Sequence, residues 1–370
     1  MFFAPYLTVF ALLAPVLASP HKRAEAITVD VTTSPSVDSV DELKLTATVT
    51  NTGAEAVRIL KYGTVLDEKL PTKSFVVTKD GQAVKFTGIK LSVSLPDADE
   101  TAFTTIAPGE KVTVSHDVAS LFDFSSVGAG TFKFAPITNF VVSNTIKSKD
   151  TATVNALSAG TPSFSRLEAA SNAVEVTIKN PKSKRAESAA HLERRAKDIC
   201  TTSSKKSFID ASYTEAKTLA NAGTSYISSK GASDSVYKAY FGTTSTSKVS
   251  GILSAVANEN SSSRTLSCTD SLNACSSGVI AYTATATTNI YFCSIFFNEV
   301  ATSSLCSGTT VASRNVRGGT TLHELTHAVG GTDDIGYGCS ADQSLSTSNK
   351  AINADNYNCF TTQVYQNTKC

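Results

Sequence analysis

The sequence lacks any imbalance of charge: 33 Lys and Arg stand against 32 Asp and Glu, a formal +1. Such a chain has no basic field for nucleic acid and no acidic tail, so binding driven by gross charge is excluded. It also lacks an apolar run of about 18 residues, so no segment reads as a bilayer-spanning helix. The nearest is Leu7–Ala18, which is shorter and interrupted by Pro15. Its Val16-Leu-Ala18 end suits a signal peptidase, so residues 1–18 read as a removed signal peptide, giving a secreted product with no membrane attachment. A third absence divides the chain. No cysteine occurs between Ser19 and Ile199, whereas eight follow: Cys200, Cys268, Cys275, Cys293, Cys306, Cys339, Cys359 and Cys370. An even number in an exported chain predicts a disulfide framework, and the lack of any C-x-x-C pair disfavours a cysteine-held metal. The sequon Asn260-Ser-Ser262 fits the same compartment.

What is present falls into two parts, as 370 residues allow. From about 24 to 180, short alternating runs such as Leu43–Thr50 and Lys111–His116 are separated by turn signals at Asn51-Thr-Gly53, Lys79-Asp-Gly81 and Ala107-Pro-Gly-Glu110. Period-two alternation with regular turns predicts a β-sandwich-like module. A charged stretch follows at 181–200 with two dibasic pairs, Lys184-Arg185 and Arg194-Arg195. Exposed dibasic linkers are where secretory processing proteases cut, which makes 19–195 a propeptide and 196–370 the mature domain. In that domain helices are expected at Asp210–Ala220, Asp234–Tyr240 and Ser247–Ala257. Strands are expected at Gly278–Ala286 and Asn289–Phe297.

Next comes Thr321-Leu-His-Glu-Leu-Thr-His-Ala-Val-Gly-Gly331, which sets His323, Glu324 and His327 in H-E-x-x-H spacing. On a helix, positions i and i+4 share a face, so both imidazoles reach one zinc while Glu324 acts on its water. Thr320 or Thr321 is expected to cap this helix, and Gly330-Gly331 to end it. A catalytic zinc usually takes three protein ligands. The other histidines, His21, His116 and His191, all precede the processing sites, and the sole methionine is Met1, so a third histidine and a Met-turn are both excluded. No glutamate follows Glu324, which disfavours a ligand from a later Glu-bearing helix. The carboxylates left are Asp333, Asp334, Asp342 and Asp355. The third ligand is expected among them.

The pair formed by H-E-x-x-H and Gly331-Thr-Asp-Asp-Ile-Gly-Tyr-Gly338, which fits G-T-x-D-x-x-Y-G at every fixed position, resembles the deuterolysin (aspzincin) metalloendopeptidases, typically secreted by fungi. The resemblance extends loosely over the chain, through signal, cysteine-free pro-region, dibasic junction and small disulfide-bonded domain. It implies an α+β fold: a mainly helical zincin-like catalytic domain with a small β-sheet, preceded by the β-sandwich-like propeptide. It also implies one zinc held by His323, His327 and Asp334, with Glu324 as general base and Tyr337 stabilising the oxyanion. Asp333 takes the variable position. Asn353-Ala-Asp-Asn-Tyr357 resembles a family segment near the site, where the counterpart of Asp355 supports the metal or the substrate pocket; as a ligand Asp355 is the runner-up. Relatives that cut before lysine place a glutamate where this chain has Asn358, which implies a broader preference for basic or loosely folded proteins. The resemblance further suggests the disulfides Cys200 with Cys268, Cys275 with Cys293 and Cys306 with Cys370, leaving Cys339 with Cys359.

The expected activity is that of a monomeric secreted zinc endopeptidase made as a preproenzyme. Its partners would be protein substrates, its own propeptide and a dibasic processing protease. Having no cysteine, the propeptide must inhibit, if it does, by steric or non-thiol means. The competing class is a secreted non-enzymatic adhesion or binding protein, with the β-rich part at work and a structural zinc.

Overall fold

The computed structural model describes residues 26–143, 163–183 and 200–370. The expected signal segment and both dibasic pairs lie outside them. The architecture is mixed α/β with several sheets.

Residues 26–183 are sheet-rich. Strand Lys44–Asn51 turns Leu45, Ala47 and Val49 inward and pairs antiparallel with Ile27–Thr32 and Lys111–Asp117. Gly130–Pro136 sits between Val174–Asn180 and Phe75–Lys79 in a second sheet. Asn139–Ser143 sits between Phe164–Glu168 and Val57–Leu60 in a third. The inward residues meet in one core with Phe75, Phe124, Phe132, Phe134 and Phe140 fully buried. Each buried ring contributes roughly 1.5–3 kcal/mol by leaving water, which accounts for the cohesion of a unit with no disulfide.

Residues 200–370 centre on helix Ser203–Lys230, against which Thr246–Ala257, Arg317–Leu325 and Ala354–Lys369 pack. Asp210 lies inside the first helix instead of starting it. Asp234 does cap Ser235–Phe241, accepting from the Val236 and Tyr237 amides, whereas Thr246–Ala257 is capped by Ser245. Gly318 admits the first helix at close range, since a Cβ there would stand 2.7 Å from Glu215 Cβ. Disulfides join Cys200 to Cys268, Cys275 to Cys293, Cys306 to Cys370 and Cys339 to Cys359. Asn260 is exposed.

The two parts share a sheet. Leu266–Ser267, Asn289–Phe292 and Val279–Ala284 form its C-terminal portion, and strand Ile89–Val93 completes it antiparallel to Val279–Ala284, with Leu91 opposite Tyr282 and Lys90 opposite Thr283. An apolar cluster spans the junction, joining Ile89, Leu91 and Val93 to Tyr282, Tyr291 and Tyr337.

Candidate active site

Helix Arg317–Leu325 runs on into a π-helical turn, Thr326–Gly330, and stops at Gly331, whose φ of 66° is the left-handed conformation glycine adopts freely. At its start neither Thr320 nor Thr321 caps it. The helix begins at Arg317, and both threonines are buried within it, donating to Glu299 Oε1 at 2.7 Å and to Ser212 Oγ at 2.9 Å. Their hydroxyls tie the helix to its neighbours instead of to its own amides.

His323 and His327 are buried on one face, with Nε2 atoms 3.1 Å apart. The chain turns back after Gly331, and Asp334 Oδ1 lies 3.1 Å from His323 Nε2 and 3.0 Å from His327 Nε2. The return is pinned by Asn353, whose Oδ1 accepts from the Ile335 and Gly336 amides at 2.9 and 3.2 Å. Backbone pairing of Asp333 with Ile352 and Ala354 adds to it. Three ligand-type atoms thus stand 3.0–3.1 Å from one another. Ligands about 2.0–2.1 Å from a tetrahedral zinc stand roughly 3.3 Å apart, so this donor set fits that ion. His327 Nδ1 faces the Thr332 carbonyl at 2.9 Å, a bond that puts its proton on Nδ1 and leaves Nε2 a lone pair.

Electrostatics agree with the geometry. Burial alone would raise Asp334, yet the two imidazoles hold it far below the usual carboxylate range. Against the cost of burial, Asp334 and Asp355 raise His323 to about 10, whereas burial lowers His327. Asp334 is thus ionised and His327 neutral, the states a metal ligand needs, and a cation between these groups would displace the proton that His323 holds. Burial lifts Glu324 to about 8. Thr283 Oγ1 donates to its Oε2 at 2.6 Å, while Oε1 is buried with no hydrogen-bond partner. Tyr337, whose ring stacks on His323, is held well above the ordinary phenol value by burial and so stays a donor.

Asp333 is turned away from the histidines and ion-pairs with Lys73 at 3.1 Å and Lys90 at 3.0 Å. Asp355, expected to support the metal or the substrate pocket, is fully buried behind His323. Its Oδ1 lies 3.6 Å from His323 Nδ1 and accepts two bonds from Arg314, at 2.9 and 2.5 Å, while Oδ2 accepts from the Gly338 amide at 2.8 Å. Asp342 and Asp355 also cluster with Cys359. That sulfur is in a disulfide, so the trio cannot hold a metal as the His–His–Asp set can. Sequence reasoning missed Arg314 and Thr283. Nothing local marks either, although Arg314 adopts φ 48°, which is uncommon for a side chain with a Cβ.

The sequence pattern of the deuterolysin metalloprotease (M35) family matches residues 5–370. Penicillolysin of Penicillium citrinum is 33% identical over 370 residues, covering 96% of this chain and 97% of that protein. A neutral protease 2 homolog of Aspergillus terreus is 32% identical, with 97% of each chain covered. A peptidyl-Lys metalloendopeptidase of Armillaria mellea is 29% identical over 91% of this chain and 92% of its own. A zinc peptidase from Grifola frondosa aligns at 25% identity over 44% of this chain and 96% of that one, with a TM-score of 0.35. With nearly full-length matches above 30% identity and the converging histidines and aspartate already in place, the chain belongs to the deuterolysin metalloprotease (M35) family and is a zinc metalloendopeptidase.

Proposed function

We propose that one zinc ion is held by His323, His327 and Asp334 and that the surrounding side chains carry out peptide hydrolysis. The observation that carries this reading is the mutual approach of the three ligand atoms at 3.0–3.1 Å, with Glu324 and Tyr337 beside them. A zinc bound there supplies Lewis acidity to the scissile carbonyl and makes a water molecule acidic enough to attack near neutral pH. Glu324, with Oε1 unpartnered, accepts the proton of the attacking water and hands it to the departing amine; Thr283 fixes the orientation of its other oxygen. Tyr337 donates its phenolic proton to the carbonyl oxygen as negative charge develops, in a buried setting where such a bond counts for more than in water. Asp355 and Arg314 set the position of His323 from behind.

The enzyme is read as a secreted preproenzyme. The leader at 1–18 directs export, residues 19–195 are the propeptide, and 196–370 the catalytic domain, freed at 184–185 or 194–195 and acting as a monomer. Substrates are proteins, with basic ones preferred, a reading supported by the ion pairs that Asp333, next to Asp334, makes with Lys73 and Lys90. The test is casein or protamine hydrolysis by the processed chain, with and without chelator, alongside Glu324→Gln. Zinc content equal to wild type with turnover reduced at least about a hundredfold is expected of the variant. Chelator-resistant hydrolysis, or a fully active variant, would overturn the assignment.

A further inference from the structure

Strand Ile89–Val93 belongs to the sheet-rich N-terminal part, yet its ladder is made with Val279–Ala284 of the C-terminal part. Among the described residues it joins no ladder of its own unit. It crosses the candidate active site in an extended conformation, and its main chain meets the groups assigned to catalysis. The Leu91 amide donates to Asp334 Oδ2 at 2.7 Å. The Leu91 carbonyl oxygen accepts from the Tyr337 hydroxyl at 3.1 Å and lies 3.2 Å from His323 Nε2. Beyond it, Arg314 Nη1 donates to the Val93 carbonyl at 3.0 Å. A carbonyl between the oxyanion donor and the first histidine is the placement that a bond about to be hydrolysed requires.

The side chains add grip. Lys90 Nζ pairs with Asp333 at 3.0 Å and donates to the Thr332 carbonyl, and Lys73 reaches Asp333 from a second point on the same unit. Two cavities flank the strand. One of about 360 Å³ includes Lys90 and Asp333, and one of about 320 Å³ on the far side of Tyr337 includes Arg314 and Pro96.

We propose that Ile89–Val93 is a built-in substrate-mode inhibitor, with the N-terminal unit laying its strand in the direction a substrate takes and presenting Leu91–Ser92 in the place of the bond to be cut. Latency comes from occupation of the sheet partner, Asp334, Tyr337 and His323 by this strand's backbone. Neither a thiolate nor a covalent tether is needed, so the N-terminal unit continues to inhibit after the linker at 184–195 has been cut. This rests on the catalytic reading above.

The test begins with the full-length chain cut in the linker by a dibasic-specific protease. Retention of the N-terminal unit on the C-terminal one is then measured by size exclusion at low ionic strength, beside casein hydrolysis. Wild type is expected to co-elute and stay latent. Leu91→Pro removes the amide that Asp334 accepts without touching any ladder inside the N-terminal unit. It should weaken retention at least about tenfold, the worth of one charge-assisted hydrogen bond, and release hydrolysis in step. Lys90→Glu, which leaves the backbone intact and sets two carboxylates against each other, should act in the same direction and more strongly at low salt. Wild-type retention and latency in both variants would overturn the proposal. Retention that falls with no hydrolysis from any form would instead overturn the catalytic reading, because docking is read independently of activity.

Discussion

Replacing Arg314 with Met tests whether the buried ion pair behind His323 is a support of the metal site. The guanidinium makes two bonds to Asp355 Oδ1, at 2.9 and 2.5 Å, and one to the Val93 carbonyl at 3.0 Å, with side-chain exposures of 7% for Arg314 and 0% for Asp355. Met is near in length and keeps the same left-handed backbone strain, so the comparison isolates charge. The substitution leaves the Asp355 carboxylate buried beside Asp342 with no cation, a loss of about 3–5 kcal/mol, and the bond to Val93 adds about 1. At about 2–4 °C per kcal/mol for a unit of this size, the melting temperature of the full-length chain should fall by about 10 °C or more. Zinc affinity, measured by competition with a chromophoric chelator, should fall about 10- to 100-fold, because Asp355, which faces His323 Nδ1 at 3.6 Å, loses the guanidinium that holds it in place. Combining Arg314→Met with Asp355→Asn should recover at least half of the lost stability, since removing a buried pair whole costs far less than removing one partner. A melting temperature within about 3 °C of wild type, together with unchanged zinc affinity, would refute the reasoning.

Other outcomes follow from single contacts. Glu299 is buried, and despite the bond from Thr320 its carboxyl is raised by burial to about 8 from an ordinary 4.5. A raised folded-state value means its contribution to stability is complete below pH 4.5 and is lost as pH climbs through 8. The melting temperature of Glu299→Gln relative to wild type should therefore rise between pH 5 and pH 8.5, roughly the two ends of that window; a flat difference would contradict the assignment. Gly318→Ala gains about 1 kcal/mol of helix propensity but drives a methyl to 2.7 Å from Glu215 Cβ, an overpacking cost of about 1–3 kcal/mol or more, so a net loss in thermal unfolding is expected. Removing Cys339 and Cys359 together by alanine substitution opens a link spanning 20 residues and should cost about 3 kcal/mol in denaturant unfolding.

How much of this was legible in the sequence depended on the range of each contact. His323 and His327 could be paired from spacing alone, because i and i+4 share a helix face whatever surrounds them. Asp334 could only be narrowed to four candidates by what the chain lacks, and the motif of a resembling family chose among them. The inward alternation of Leu45, Ala47 and Val49 announced a strand, and the observed Lys44–Asn51 keeps that phase. What stayed hidden was long-range. Arg314 is 41 residues from Asp355, and Thr283 is 41 from Glu324. Thr320 and Thr321 look like helix caps by type, but the caps were overridden by buried partners at Glu299 and Ser212. The alternation of the first half located its strands without revealing that Ile89–Val93 would pair some 190 residues onward, since pairing partners are set by the assembled fold.

The shared sheet has a consequence for biosynthesis. Take Ile89–Val93 away, and Val279–Ala284 becomes the rim of its sheet, a six-residue row of buried, largely apolar residues whose outward amides and carbonyls are left for any extended chain to meet. Exposed rims of that kind invite self-association between copies. Because the N-terminal unit leaves the ribosome first, it is on hand to cover the rim as Val279–Ala284 emerges. The order in which the parts are encoded is itself a protection against aggregation, one that a chain rearranged to put residues 200–370 first would forfeit.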